Sequence, residues 1–469
     1  MLDKVLIINT GGTIGMVHSE KGNTMSPLRP AENWNEIAKE HPVLKGFATD
    51  YYQFHPLVDS SDINPESWTK MAQVIETNYN NYRGFVLLHG TDTMSYTASA
   101  LSFMLKNLDK PVIITGAQVP LEKPRSDALQ NLVTAIQIAG NEFYGIRLVP
   151  EVCIFFRDTL LRGNRSRKND ARNYFGFSSP NYPSLAEAGA ELGIKKNKLL
   201  KKSKGTFHIE TALDDRVIII EIFPGLKPSY LKNIFESIGD LKGVILKTYG
   251  NGNAPTNVDF IDVINSLTSR GIVVINITQC TTGTVKMGMY EASIKLVDAG
   301  VVSGLDLTPE AALTKLMYLL GKTEDSEEVK KLMSIDICGE QTLNHYNFKF
   351  TQNSPAKICK FSFEIPKEIA GGDMIEAALR IKNLSLKNKI DKINIRISIE
   401  GDNFIENIEK FQSIKTLKKN KDNINEDILL NFNKCVKKIA EESRVIKITL
   451  ESDESIVWGD AVFSIYSEC

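Results

Sequence analysis

Three apolar runs, each cut off by a loop containing glycine, constrain the fold of this chain more than any other feature. Val5–Ile8 leads into Thr10-Gly11-Gly12-Thr13-Ile14-Gly15. Phe85–Leu88 leads into His89-Gly90-Thr91-Asp92-Thr93-Met94, and Pro111–Thr115 into Gly116-Ala117. A short apolar run bounded by turn residues reads as a buried strand. Helical patterns lie between the runs, near Tyr96–Leu105 and from about Ser126-Asp127, where Leu129, Leu132, Ala135 and Ile136 share a face. Strands alternating with helices imply a parallel sheet covered on both sides, hence an α/β fold. In such sheets ligands bind in the loops beyond the strand C-ends. Two of these loops hold threonine hydroxyls, one carboxylate and unhindered backbone N–H groups. That is equipment for nucleophilic attack on a carbonyl without a metal or cofactor.

A second α/β unit follows a Lys-rich stretch from Lys195 to Gly205. Its expected strands are Arg216–Ile222, Gly243–Lys247 and Ile272–Ile277, with helices near Val258–Ser269, Tyr290–Ala299 and Pro309–Leu320. After about Leu343 the pattern becomes strand-like alternation: Phe361–Ile365, Met374–Ile381, Ile393–Glu400, Val445–Leu450 and Val457–Tyr466. One helix is expected over Ile428–Ile439, from the stripe Leu429, Phe432, Val436 and Ile439. The expected division is 1–194, a linker at 195–212, then 213–343, and a β-rich domain of unknown role at 344–469.

A length of 469 residues suits about three domains. The net charge of −1 gives no reason to expect nucleic acid or an anionic membrane as a partner. No apolar stretch approaches a membrane span, and no signal peptide precedes the first strand, so a cytoplasmic protein is expected. Cys153, Cys280, Cys338, Cys359, Cys435 and Cys469 are scattered, with no zinc-type spacing, and read as free thiols.

Thr13 is the candidate nucleophile. A threonine hydroxyl needs a base and an oxyanion site; Gly11 and Gly12 allow a tight turn that presents N–H groups. Taken alone, the string also fits an ordinary strand-to-helix turn. Asp92 can accept hydrogen bonds from an ammonium group, and His89 reads as structural. Lys168 follows Leu161-Arg162-Gly163-Asn164-Arg165-Ser166-Arg167. Crowded guanidinium groups would disfavour its ammonium form and make it a better base. The same run alone would also suit a solvated basic patch that binds phosphate or RNA.

Together the two threonine motifs resemble the asparaginase/glutaminase family of threonine amidohydrolases, most closely its cytoplasmic type I branch, from about Leu2 to about Leu343. The resemblance implies a large N-terminal and a smaller C-terminal α/β domain. It also implies hydrolysis of L-asparagine to L-aspartate and ammonia by double displacement, with neither cofactor nor metal. Thr13 would be acylated, Thr91 would help activate water, and Asp92 would hold the substrate ammonium and Lys168. Asp59-Ser60-Ser61 would grip the substrate carboxylate, although Ser61 or Asp62 before Pro65-Glu66 would also cap a helix. Ile277–Gly283 and Gly288-Met289-Tyr290 resemble the branch's regulatory segment, which suggests an allosteric role for Lys247 and Cys280; from the residues alone, Cys280 reads as a buried strand-end thiol. A homodimer or homotetramer is implied. Many relatives carry a tyrosine in the loop after the first motif; here His18–Met25 has none. Two other readings are an ammonia-supplying amidotransferase subunit, which an extra domain before the first motif would accompany, and an amino-acid sensor using the same fold.

Overall fold

The computed structural model of the chain describes residues 4–19, 26, 28–287, 291–351, 356–365, 374–386, 393–400, 405–412, 426–431, 445–457 and 460–469. The chain forms two compact units, Met1–Thr342 and Leu343–Cys469.

The first unit opens with a mixed eight-stranded sheet. Its strands in chain order are β1 (Val5–Asn9), β2 (Thr49–Gln53), β3 (Gly84–Leu88), β4 (Val112–Thr115), β5 (Val152–Phe156), β6 (Thr159–Arg162), β7 (Ala186–Ala188) and β8 (Leu192–Ile194). Their spatial order is β8-β7-β6-β5-β4-β3-β1-β2. The five strands β2, β1, β3, β4 and β5 are parallel; β6, β7 and β8 return antiparallel. The expected all-parallel sheet therefore holds only for its apolar half.

Register positions the candidate site. Asn9 lies opposite Gln53 on one side and Leu88 on the other, and Leu88 lies opposite Thr115. Four strands thus end at one level, and their loops leave side by side. Leu6, Ile8, Phe85, Leu87, Val112 and Ile114 face helices α2 (Pro65–Asn78) and α3 (Met94–Met104), and Val5, Ile7, Val86 and Ile113 share a cluster with α1 (Trp34–Glu40) and α4 (Ala128–Gly140). Both faces being apolar explains why these strands read as unbroken hydrophobic runs.

The stretch after the first motif includes two short strands, Met16–His18 and Leu28–Pro30, paired antiparallel. Most of the His18–Met25 stretch lies outside the described residues.

The second sheet is parallel throughout: β9 (Val217–Glu221), β10 (Gly243–Thr248), β11 (Val273–Thr278) and β12 (Val302–Ser303). Leu231 and Phe235 of α5 (Pro228–Ser237) and Phe260, Ile264 and Leu267 of α6 (Val258–Ser269) pack on one face. Leu316 and Leu319 of α8 (Pro309–Lys322) belong to the other. Leu296 of the short α7 (Glu291–Asp298) joins the α5/α6 face. Asn257 and Thr308 cap α6 and α8, accepting from the N–H groups of Phe260 and Ala311.

The second unit is built of antiparallel strands: Leu343–Thr351, Ala356–Glu364, Met374–Leu386, Ile393–Glu400, Ile405–Gln412, Glu426–Asn431, Val445–Val457 and Asp460–Glu468. The helix expected over 428–439 is overturned where it can be seen. Ile428, Leu429 and Leu430 pair in register with Ile381, Arg380 and Leu379 as a strand; residues 432–439 lie outside the described residues. A short apolar run carries both periodicities, and pairing with Met374–Leu386 decides between them. No helix among the described residues is long and apolar enough to cross a membrane.

Candidate active site

Backbone contact between glycine loops assembles the site. A Cβ on Gly11 would lie 2.1 Å from the carbonyl oxygen of Val58, and one on Gly12 would lie 2.6 Å from the backbone nitrogen of Gly90. One on Gly90 would meet the Ser60 Oγ at 2.5 Å, and one on Gly116 the carbonyl oxygen of His89 at 2.5 Å. The loops after β1, β2, β3 and β4 therefore stack main chain on main chain. Hydrogen bonds tie the same loops: Thr10 N–H and Oγ1 donate to the Leu88 carbonyl (3.1 and 2.8 Å), Val58 N–H to Thr10 (2.9 Å), and His89 N–H to Thr115 (3.0 Å). Gly12 holds φ +86°, which a side chain resists. Thr13 opens the one-turn 3-10 helix Thr13–Gly15 immediately beyond. The Gly11 N–H is engaged by Asn9 Oδ1 (3.2 Å), while Asn9 Nδ2 donates to the Tyr51 hydroxyl (2.8 Å).

The loop after β2 carries Asp59, Ser60 and Ser61. Asp59 caps the one-turn helix Ser60–Asp62: its Oδ1 accepts from the Ser61 N–H (2.9 Å) and Oγ (2.7 Å). Those bonds hold the Asp59 carboxyl below its ordinary range. Ser60 is buried against Gly90, and its carbonyl accepts from Thr93 Oγ1 (2.6 Å). The cap of α2 is Asn64, which accepts from Ser67 N–H (2.9 Å), in place of the expected Ser61 or Asp62.

Lys168 reaches this assembly from a distant part of the chain. Its Nζ donates to Thr91 Oγ1 (2.8 Å) and to Asp92 Oδ1 (2.7 Å). The Asp92 side chain is 67% exposed and that of Lys168 18%, so the trio opens to solvent on its carboxylate side. Packing delivers the lysine. The helix α3 begins directly after the second motif, and Gly163 in the turn Gly163–Arg165 sits so close to it that a Cβ would lie 3.1 Å from the Ala98 Cβ. Arg167 and Lys168 then pair with Ser178 and Phe177.

The crowd of guanidinium groups expected around Lys168 is compensated group by group. Arg162 pairs with Glu151 (2.6 Å), Arg165 with Asp306 (2.8 Å) and Arg167 with Glu310 (3.5 Å). The groups touching the lysine are Thr91 and Asp92. These arginines were legible as a motif but not as anchors, because their carboxylates are brought in by tertiary packing, two of them from more than 140 residues away. Asn131 was also missed: it bonds the Gly116 carbonyl (3.0 Å), Asp127 (3.2 Å) and the Arg157 N–H (3.0 Å), fixing the loop after β4.

His89 is 1% exposed and part of a chain of hydrogen bonds. Trp68 Nε1 donates to Thr97 Oγ1 (3.0 Å), which lies 2.8 Å from His89 Nε2, and His89 Nδ1 lies 2.6 Å from the Gly90 carbonyl. A carbonyl can only accept, so Nδ1 carries the proton and Nε2 accepts from Thr97. Burial pushes the imidazole down to about 4, with the Gly90 bond opposing. His89 is thus a neutral structural group under the second motif.

The candidate regulatory residues lie on the second sheet, at the C-ends of β10 and β11. Lys247 is ion-paired with Glu221. Cys280 is exposed, not buried as a strand-end thiol, because β11 ends at Thr278 and the chain has already bent outward. Its N–H donates to Thr278 Oγ1 (3.0 Å). Gly288, Met289 and Tyr290 lie outside the described residues. A cavity of about 300 Å³ is bordered by Lys106, Glu151, Arg162, Asp336 and Cys338; Thr91, Asp92 and Lys168 do not line it. Among the described residues no cluster of three or more His, Cys, Asp or Glu could hold a metal ion.

Comparison with known proteins meets this geometry. The family model "Asparaginase, N-terminal" matches residues 4–200, and "Glutaminase/Asparaginase C-terminal domain" matches residues 216–333. L-asparaginase 1 of Escherichia coli (strain K12) is 42% identical over 339 residues, which span 72% of this chain and 98% of that protein. The 60 kDa lysophospholipase of Mus musculus is 39% identical over 364 residues, 72% of this chain and 63% of its own length. The crystal structure of L-asparaginase I from Vibrio cholerae superposes with a TM-score of 0.65 at 41% identity, over 72% of this chain and 99% of that one. With both α/β domains matched and the interlocked threonine loops in place, the chain belongs to the asparaginase/glutaminase family.

Proposed function

We propose that this chain is an L-asparagine amidohydrolase that releases L-aspartate and ammonia. The observation that carries the reading is the placement of Lys168 Nζ, 2.8 Å from Thr91 Oγ1 and 2.7 Å from Asp92 Oδ1. A solvated basic patch would not bury its lysine stem to meet a threonine and a carboxylate beside a second threonine loop. L-asparaginases at 42% and 41% identity over nearly their whole length support the same activity.

In this mechanism asparagine binds with its α-carboxylate at Ser60 and Ser61, on the turn capped by Asp59, and its α-ammonium at Asp92. Thr13 Oγ attacks the side-chain carbonyl carbon. The new C–O bond replaces the C–N bond, the hydroxyl proton passes to the departing nitrogen, and ammonia leaves. Backbone N–H groups of the glycine loops stabilise the oxyanion. Thr91 and Lys168 then draw a proton from water, whose oxygen attacks the β-aspartyl ester and regenerates the Thr13 hydroxyl. Only the terminal amide is cleaved, so no redox partner enters the balance.

The type I resemblance supports three further parts of the reading: a homodimer or homotetramer, a cytoplasmic location, and regulation by asparagine around Lys247 and Cys280. The domain division at 194, 212 and 343 stands as part of the same proposal. Neither family model extends past 333. Ammonia release from L-asparagine, L-glutamine and D-asparagine, with Thr13→Ala as control, tests the activity. Asparagine-selective release lost in Thr13→Ala is expected; folded protein that binds asparagine and releases nothing would overturn the reading in favour of a sensor.

A further inference from the structure

The Arg162–Arg165 turn uses its charges to grip one segment of chain. Arg165 is fully buried, 1% exposed. Its Nη1 donates to Asp306 Oδ2 (2.8 Å), its Nε to the Gly339 carbonyl (2.8 Å) and its Nη2 to Thr342 Oγ1 (3.1 Å). Arg162 Nη1 donates to the same Gly339 carbonyl (3.3 Å), and Asn164 Nδ2 to the Cys338 carbonyl (3.1 Å). Asp306 closes the ring by accepting from Thr342 N–H (2.9 Å) and Oγ1 (2.5 Å).

The same segment, residues 335–342, is fixed by a second buried pair. Lys315 on α8 meets Glu340 at 2.6 Å, both side chains 0% exposed. The Lys315 ammonium also reaches the Ile335 carbonyl (2.6 Å), and the Glu340 carboxylate accepts from the N–H groups of Ile337 (2.9 Å) and Cys338 (2.8 Å). A buried ion pair holds only where such bonds satisfy both partners, and breaking one side leaves a stranded charge. The segment is therefore a stiff strap.

Lys168 lies three residues beyond Arg165, across Ser166 and Arg167. Its backbone has two fixed points: the pairing with Phe177 and the turn that Arg165 bolts to the strap. Its ammonium must meet two acceptors on a loop that belongs to another part of the sheet. We infer that Arg165 is a positioning residue for Lys168, and that strap 335–342 is the fixed wall against which this lysine is registered.

The inference rests on the reading of Lys168 as the group that activates water. Ammonia leaves in the first half-reaction and aspartate in the second, so the two halves can be read separately. The variants are Arg165→Lys, which keeps the charge toward Asp306 but loses the fork, and Thr342→Val, which removes one hydroxyl without removing bulk. Lys168→Met is the reference. A loosened lysine slows only the second half. Expected is a fall in kcat of roughly tenfold for Arg165→Lys and about threefold for Thr342→Val. KM should fall in parallel, kcat/KM should stay within about twofold, and a burst of one ammonia per active site should appear. A merely structural role would lower kcat and kcat/KM together at unchanged KM and shrink the burst. That result, or wild-type kcat in both variants while Lys168→Met is impaired, overturns the inference. Normal turnover in Lys168→Met would instead overturn the reading beneath it. Thr342→Val keeps the test open if Arg165→Lys fails to fold.

Discussion

The mixed first sheet and the all-parallel second sheet of the first unit both end parallel strands in loops at one edge, but the two sets of loops are built differently. In the first sheet, the loops after β1, β2, β3 and β4 touch through backbone, with Gly11, Gly12, Gly90 and Gly116 at the contacts. In the second, side-chain bonds hold the loops: Thr248 Oγ1 to Asn276 Oδ1 (2.6 Å), Asn276 Nδ2 to the Gly252 carbonyl (3.0 Å), and Gln279 Nε2 to the Ile222 and Lys247 carbonyls (2.6 and 3.0 Å). Gly250 and Gly283, both at positive φ, have nothing within 4 Å of an added Cβ. Parallel strands supply loops at one edge in both sheets. The interlocked set carries the loop on which Lys168 meets Thr91 and Asp92, and a shared fold does not by itself supply such a cluster.

The same substitution in the two sheets gives the sharpest contrast. Gly12→Ala forces a methyl into the Gly90 backbone at φ +86° and is expected to cost roughly 3 kcal/mol. It should also lower kcat/KM by on the order of a hundredfold, because it displaces both threonine loops. Gly250→Ala carries only the positive-φ cost, about 1 kcal/mol, with turnover nearly unchanged. Denaturant unfolding and ammonia kinetics on both variants check this; equal losses would mean that the close backbone contact at Gly12 carries no extra cost.

A smaller effect follows from His89, buried under the first set of loops. Its imidazole titrates at about 4 when folded and near 6.5 when unfolded. Between those values the unfolded chain binds the extra proton, so stability is intact above about pH 6.5 and falls as pH drops toward 4. The contribution is at most ~1.4 kcal/mol per pH unit. Unfolding midpoints from pH 7 to 4 should show this slope, and His89→Asn should flatten it. A wild-type slope unchanged by the substitution would place the titration elsewhere.

The smallest effect is expected in the second sheet. Lys247→Met breaks an ion pair with Glu221, and Cys280→Ser changes an exposed thiol; each should shift stability by less than about 0.5 kcal/mol. If these residues regulate, the substitutions change the shape of the rate-against-asparagine curve while leaving its plateau. Unchanged sigmoidicity in both variants would remove them from regulation.

Legibility in the sequence followed apolar content. Val5–Asn9 and Gly84–Leu88 were readable to within one residue because both faces of those strands are buried. Thr159–Arg162 and Ala186–Ala188 were not, since short antiparallel returns at a sheet's side carry little hydrophobic pattern. Thr91, Asp92 and Lys168 were legible as a motif set, and the folded chain brings these three side chains together. What Arg162 and Arg165 do was hidden, because their partners Glu151, Asp306, Gly339 and Thr342 are set by tertiary packing. The exposure of Cys280 was hidden because the strand ends at Thr278 and the chain bends at once, at Gln279 and Cys280. Over 428–431 helical spacing misled, because strand pairing decided the outcome.

In the proposed mechanism the first glycine loop carries the nucleophile. This role is tested most directly by mixing Lys168→Met with L-asparagine, quenching in acid and mapping the peptides by mass. One β-aspartyl ester per chain is expected, on Thr13, formed as ammonia is released. Ammonia released with the ester on another residue, or with no ester under conditions that preserve a threonine ester standard, would contradict it.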